Sequence, residues 1–400
     1  EELADYEEKA ELARQRDHRR LGPELDLFSM NQHAPGSPFF HPKGAQVYNQ
    51  LVDYVRSLLE RDGYGEVLTP QILDVDLWHQ SGHWDNYRDN MYFVEIEDRE
   101  FAVKPMNCPT HCLIYGTRLR SYRDLPIRYA DFGRLHRYER SGVISGLTRV
   151  RTFCQDDAHI FCTEEQIEDE VLKLIETILD IYRTFDFQDV LIELSTRPEK
   201  SIGTEEMWQH AEAALRSALE SADIAYEVNE GDGAFYGPKI DFQAHDALGR
   251  SWQLGTVQLD YQMPERFDLQ YVAADGDERT PVMIHRAMLG SVERFLGILI
   301  EHTGGAFPLW CAPVQAIVLP VSDKFLDYAD EVAGRLEEAG LRVEVDRRAE
   351  KLGYKIREAQ LQKVPYMLVI GDREIEAGEV NLRMRDGNVP GSMEVDAFAA

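Results

Sequence analysis

Four hundred residues with 44% hydrophobic side chains can bury more than one core, and two domains are the natural reading, because a single core seldom grows past ~250–300 residues. No apolar run approaches the ~20 residues that cross a bilayer, and the charged opening EELADYEEKAELARQRDHRR is unlike a secretory leader. The expectation is a cytoplasmic chain with no membrane partner, whose true start lies upstream. A formal charge of −29 argues against general affinity for nucleic acid, so any RNA contact has to come from local basic patches; the acidic, arginine-rich balance suggests a salt-adapted source.

Residues 1–19 read as one charged helix. Positions 44–62 carry Val47, Leu51, Val55, Leu58 and Leu59 at helical spacing and close at Gly63; an extended segment, Glu66 to Thr69, then runs into Pro70. Thr163 with Gln166 makes a capping box, opening a long helix whose inner face is Ile167, Val171, Ile175, Ile178 and Tyr182. Strand-like runs at Pro126–Phe132, Val190–Leu194, Lys239–Gln243 and Ser251–Gln258 are joined irregularly, which predicts an antiparallel sheet with flanking helices. The texture changes near Pro308. From there strand (Ala316–Val321), helix (Asp323–Ala339), strand (Leu341–Asp346), helix (Lys351–Gln362), strand (Tyr366–Ile370), turn and strand (Val380–Arg385) alternate, as in a small separate α/β domain.

Neither GxxxxGK[ST] nor a GxGxxG between strand and helix is present, so if ATP is used its phosphates are held by arginines. Arg137 with Glu139 in FGRLHRYERSG, and Arg294 in HRAMLGSVERFLG, offer the planar fork that phosphate oxygens need; taken without context, such a residue is more often a surface ion pair. The five cysteines, Cys108, Cys112, Cys154, Cys162 and Cys311, are scattered, and reduced thiols or metal ligation suit them better than disulfides. Cys108-Pro-Thr-His111-Cys112 suggests a zinc knuckle, but structural zinc sites usually join two such pairs. His159 in DDAHIFC and His285 in VMIHRAM could each be an ordinary core histidine.

The strings KPMNCPTH, FGRLHRYERSG, RVRTFCQDDAHIFCTEEQI, LSTRPEK, GAFYGPKIDF, QLGTVQLDY and VMIHRAMLGSVERFLGILIE resemble, in order, those of bacterial-type threonyl-tRNA synthetases, from about residue 17 to the end. The resemblance implies an α+β class II catalytic domain (antiparallel sheet flanked by helices) over residues 20–307, after a linker helix over 1–19. A small α/β anticodon-binding domain with a mixed sheet would follow over 308–400. Motif 1 would be the helix and strand ending at Pro70 and would carry a homodimer contact; motif 2 surrounds Arg137 and Glu139, and motif 3 is entered at Arg294. The implied activity is the ligation of L-threonine to tRNA(Thr) with ATP and Mg²⁺.

By the same resemblance Arg137 clamps the α-phosphate, Arg294 the γ-phosphate, Glu139 recognises adenine, and Arg149, Gln253, Met106 and Ser291 join them around substrate and ATP. Cys108, His159 and His285 become three ligands of one Zn²⁺ that selects threonine over valine, leaving His111 and Cys112 ordinary. Gln155, Asp157, Tyr236 and Gln258 frame the amino acid, Lys239 meets the reacting groups, and His83 stands near the terminal ribose of tRNA. Within the second domain Arg347, Arg348, Lys351, Lys355, Arg357 and Lys363 form the basic cluster that anticodon-stem binding would use, with Arg357, Glu374 and Arg383 reading bases. Thr110, Ala349 and Lys363 depart from the usual Gly, Asn and Arg. The resemblance also implies that an N-terminal editing region, which removes mischarged serine, is not part of these residues, and that a final helix beyond Ala400 is missing. Rival readings are another class II synthetase, without the Cys108/His159/His285 trio, and a synthetase-like regulator that has lost catalysis.

Overall fold

The computed structural model describes residues 2–400. The chain forms two compact units, one of Met30–Pro38 with Val52–Ile298, the other of the segments up to Ser29, Phe39–Leu51 and Leu299–Ala400. No helix among the described residues is long and apolar enough to cross a membrane.

The larger unit is built on an eight-stranded sheet. Its spatial order is Glu227–Asn229, Gln188–Ser195, Lys239–His245, Ser251–Asp260, Val282–Ala287, Asp157–Cys162, Ile127–Asp131 and Gly65–Glu66. The six central strands are antiparallel and each edge adds one parallel strand. The sheet is therefore the antiparallel one expected. Alternation makes it two-faced: Ala158, Ile160, Val257, Leu259 and Ile284 point one way and are fully buried, while His159, Gln258 and His285 point the other.

The capping box at Thr163 and Gln166 is present, with a 3₁₀ turn ahead of the helix Ile167–Thr184, and Ile167, Val171, Ile175, Ile178 and Tyr182 are all buried. The helix expected over 44–62 is Pro42–Arg61; Leu58 is only half-buried, and Gly63 ends the helix in the left-handed region at φ +75°. The single helix expected over 1–19 is interrupted. Glu2–Arg16 and His18–Glu24 are separate because Asp17 leaves helical geometry and its side chain accepts the Arg19 N–H. A helix not foreseen, Glu205–Ser221, packs on Ile167–Thr184 and the sheet; Thr204 caps it, and buried Trp208, Ala211, Leu215 and Leu219 carry the period that marks it in sequence.

In the smaller unit the C-terminal strands order as Val343–Val345, Ala316–Pro320, Tyr366–Ile370, Glu379–Met384 and Gly391–Glu394; the first three are parallel and the last two antiparallel. Ala316, Val318, Leu368 and Ile370 pack with the helix Leu326–Glu338, and Leu319, Met367 and Val369 with the helix Leu352–Leu361. The expected turn after Ile370 is the short helix Asp372–Ala377, and the last strand and the helix Val395–Ala399 were not foreseen.

Candidate active site

Sheet register assembles the centre of the site. Lys239 stands opposite Gln258, Gln258 opposite His285, and His285 opposite His159. Residues directly opposite share a face with Cβ atoms ~4.5–5.5 Å apart, so four polar side chains from four distant segments form one row. Cys108, at the start of the helix Cys108–Tyr115, meets this row: the ligand atoms of Cys108, His159 and His285 lie within 4.8 Å of one another, and all three residues are buried.

A thiol and two imidazoles are the donor set that suits zinc, and the surroundings fit it. Each ring turns one nitrogen to a protein partner, His285 Nε2 to Asp260 Oδ2 at 2.9 Å and His159 Nδ1 to His111 Nδ1 at 2.8 Å, which leaves the other nitrogen for an ion. Burial pushes the Cys108 thiol well above its ordinary range, so its proton stays unless a cation replaces it. Burial keeps His159 neutral, and lowers His83 to about 3.

Around the row, Tyr236 donates to Gln258 Oε1 and its ring lies 4.8 Å from that of His285. Asp157 accepts Asn107 Nδ2 at 3.0 Å, and Met106 is half-buried just before Cys108. Burial alone would lower the pKa of Lys239, but Asp241 at 2.7 Å and Asp232 at 3.0 Å raise it and hold the ammonium charged. His83 is buried, with Nδ1 2.8 Å from Ser81 Oγ and Nε2 3.9 Å from Cys108 Sγ.

A cleft of about 400 Å³ is lined by Arg137, Glu139, Arg149, Gln155, Gln253, Ser291 and Arg294, with Thr256 among their neighbours. Seven residues singled out in four separate segments thus meet in one cavity. The Arg137 guanidinium lies 5.0 Å over the Phe153 ring and its Nε donates to Pro105 O at 3.2 Å, which fixes its direction. Arg149 Nε donates to Glu139 at 3.0 Å. The Arg294 Nε–H is buried with no hydrogen-bond partner among the described residues; burial, then Arg149, lowers its pKa, the signature of a cation held among cations for an anion to neutralise. Thr256 in the cleft and Gln258 in the row are two residues apart on one face of one strand, about 7 Å.

Two family profiles match the chain: one described as the tRNA synthetase class II core domain (G, H, P, S and T) over residues 92–303, and one as the anticodon binding domain over 315–400. A solved structure titled as the RNA binding domain of threonyl-tRNA synthetase from Cryptosporidium parvum superposes with a TM-score of 0.93 at 48% identity, covering 96% of each chain. The chain belongs to the threonyl branch of the class II tRNA synthetases. A putative threonyl-tRNA synthetase from Aeropyrum pernix superposes at TM-score 0.82 with 33% identity, over 94% of this chain and 91% of the other. Threonine–tRNA ligases from Clostridium acetobutylicum and Thermotoga neapolitana are each 55% identical over 99% and 100% of this chain. The chain spans 62% of the length of each of these ligases.

Within the residues that match the anticodon binding domain, Arg347, Arg348, Lys351 and Arg357 of the basic stretch are exposed, while several of its charges have partners inside the domain. Arg347 pairs with Asp330 at 2.6 Å, Arg348 with Asp346 at 2.6 Å, and Lys355 is buried, its Nζ donating to Pro320 O and Asp346 O. Arg357 is exposed on its helix, Glu374 accepts the Gly371 N–H at 2.9 Å, and Arg383 keeps a buried Nε without a partner among the described residues. Asp260 and His111, which contact the rings of His285 and His159, are not signalled by residue spacing: each is defined by a contact across the fold.

Proposed function

We propose that the chain activates L-threonine with ATP and transfers it to the 3′-terminal adenosine of tRNA(Thr), with residues 20–307 catalytic and 308–400 binding the anticodon. The observation that carries this is an arginine-lined cleft with Thr256 in its wall, on the strand whose Gln258, two residues on and on the same face, stands opposite His285 of the Cys108–His159–His285 cluster. In the first step the threonine carboxylate oxygen attacks the α-phosphorus and the bond to the β-phosphate breaks, releasing pyrophosphate. Arg137 faces the α-phosphate and Arg294 the γ-phosphate, with ATP brought in as its Mg²⁺ complex, so positive charge is in place before the displacement begins. Glu139 and Arg149 hold the nucleotide, with Gln253, Ser291 and Met106 beside it. In the second step the terminal adenosine hydroxyl attacks the activated carbonyl and AMP leaves, near Lys239 and His83.

Cys108, His159 and His285 would hold the Zn²⁺, which when bound would act as a Lewis acid able to accept the amino group and side-chain hydroxyl of the amino acid. Gln155, Asp157, Tyr236 and Gln258 close around that amino acid. A hydroxyl-reading site rejects valine strongly, whereas serine loses only a methyl, a difference of ~1–3 kcal/mol. ATP–pyrophosphate exchange is the test: threonine should support it, serine about 10- to 200-fold more weakly, valine far less, and C108S should abolish it. Exchange with another amino acid in preference to threonine, or none in the wild type, would sink this reading. Arg357, Glu374 and Arg383 are assigned to anticodon bases. A homodimer contact falls on the motif 1 segment, where Leu68 is 87% exposed; sedimentation equilibrium checks it.

A further inference from the structure

His111 lies one turn along its helix from Cys108 and is fully buried, yet it is not one of the three ligands. Its Nδ1 is 2.8 Å from His159 Nδ1, with the rings edge to face and their centroids 4.6 Å apart. Two imidazole nitrogens at that distance share one proton, so one ring donates and the other accepts. With His111 as donor, His159 carries its proton on Nε2 and has no lone pair for a cation. With His159 as donor, its Nε2 keeps the lone pair and the proton of His111 sits on Nε2. That atom is buried, has no hydrogen-bond partner among the described residues, and stands 3.9 Å from Oδ2 of Asp131. The Asp131 carboxylate is itself buried and anchored by Thr69 Oγ1 at 2.7 Å and Lys104 Nζ at 3.5 Å. A carboxylate in this position favours an N–H in front of it over a lone pair, even with Lys104 offsetting part of its charge. Asp157 Oδ1, 3.8 Å from His159 Nε2, pulls the proton the other way until a cation takes that nitrogen, so the two carboxylates act together only with the metal in place.

We propose that His111 is a positioning residue for the metal: Asp131, acting through His111, holds His159 in the tautomer that leaves Nε2 for zinc. This rests on the zinc reading given above. It also gives the CPTHC string a role: its histidine orients a ligand held on another strand.

Zinc affinity of the purified full chain, measured by competition with a chromogenic chelator, tests this without recourse to activity. H111L removes the acceptor and should weaken zinc about 10- to 100-fold. H111N places an amide oxygen near the position of Nδ1 and should recover most of that loss. D131N, which empties no space in the core, should also weaken zinc. Cobalt substituted for zinc should give the visible bands of a four-coordinate site in wild type, altered in H111L and restored in H111N. Equal affinity in wild type and H111L, H111N as weak as H111L, or D131N indistinguishable from wild type would overturn the inference. A wild type that holds no zinc would instead overturn the reading on which it rests.

Discussion

Replacing Lys355 by methionine separates two roles for the basic stretch 347–363, RNA contact and internal support. Lys355 is 3% exposed, and its Nζ donates to the carbonyls of Pro320 and Asp346, both at 3.1 Å. These carbonyls stand where two neighbouring parallel strands end, Ala316–Pro320 and Val343–Val345, so one ammonium ties both strand ends to the helix Leu352–Leu361. A hydrogen bond to a charged group contributes ~1.5–3 kcal/mol, and K355M removes two. The apolar stem of methionine restores part of the loss, which leaves a net cost of about 2–4 kcal/mol. At about 1.4 kcal/mol per tenfold, amides of Ala316–Pro320 and Tyr366–Ile370 should exchange hydrogen about 30- to 1,000-fold faster under conditions where the opening equilibrium sets the exchange rate. Mass-spectrometric exchange on the full chain reads this directly, and threonine-dependent pyrophosphate exchange should stay near wild type. Unchanged protection with weakened tRNA binding would refute the reasoning and return Lys355 to the RNA surface.

R294A should lower threonine-dependent pyrophosphate exchange about 10²- to 10³-fold while leaving zinc content unchanged; wild-type exchange would remove Arg294 from the phosphate site. D260N keeps an oxygen able to accept the Gln262 and Met263 N–H groups but turns an amide N–H toward His285, so zinc should bind about 10- to 100-fold more weakly with little change in Tm. Burial alone would raise the pKa of Asp246, but hydrogen bonds from Trp252 and Arg250 outweigh it and hold the carboxyl below its ordinary 3.8. A depressed folded pKa contributes stability that is full above the unfolded value and lost as pH falls through the folded one. Melting temperature should therefore drop more steeply below about pH 4 in wild type than in D246N, and parallel curves would count against it.

Much of the scaffold was legible because its cues are local. The Thr163–Gln166 capping box, the stripe on Pro42–Arg61 and the strand–helix alternation after Pro308 each depend on residues within a few positions of one another, and each element formed within a few residues of its expected place. The helix Glu205–Ser221 had the same kind of cue in Thr204 and the Trp208–Leu219 period. The break at Asp17 was harder to see, since a charged run at helical composition conceals a residue whose side chain caps a second helix.

The arginines and the metal trio were named by resemblance of long strings. Spacing by itself offered only a weak Cys108–Cys112 knuckle, and the structure places Cys112 Sγ 3.8 Å from Met283 Sδ, in a buried contact outside the trio.

What the sequence determined by itself was which segments become helix or strand and which residue types are at hand for phosphate and metal. Only tertiary structure decided which of them meet. His159, Gln258 and His285 share a row because hydrogen-bonded register sets three strands side by side, a pairing chosen by burial of Ile160, Leu259 and Ile284 on the opposite face. It likewise decided that Arg347 and Lys355 are engaged with an acid and carbonyls of their own domain, and that His111 and Asp260 stand behind the two histidines. These are contacts between residues 9 to 48 positions apart, where chain entropy is overcome only by the packed core, and no local pattern encodes them.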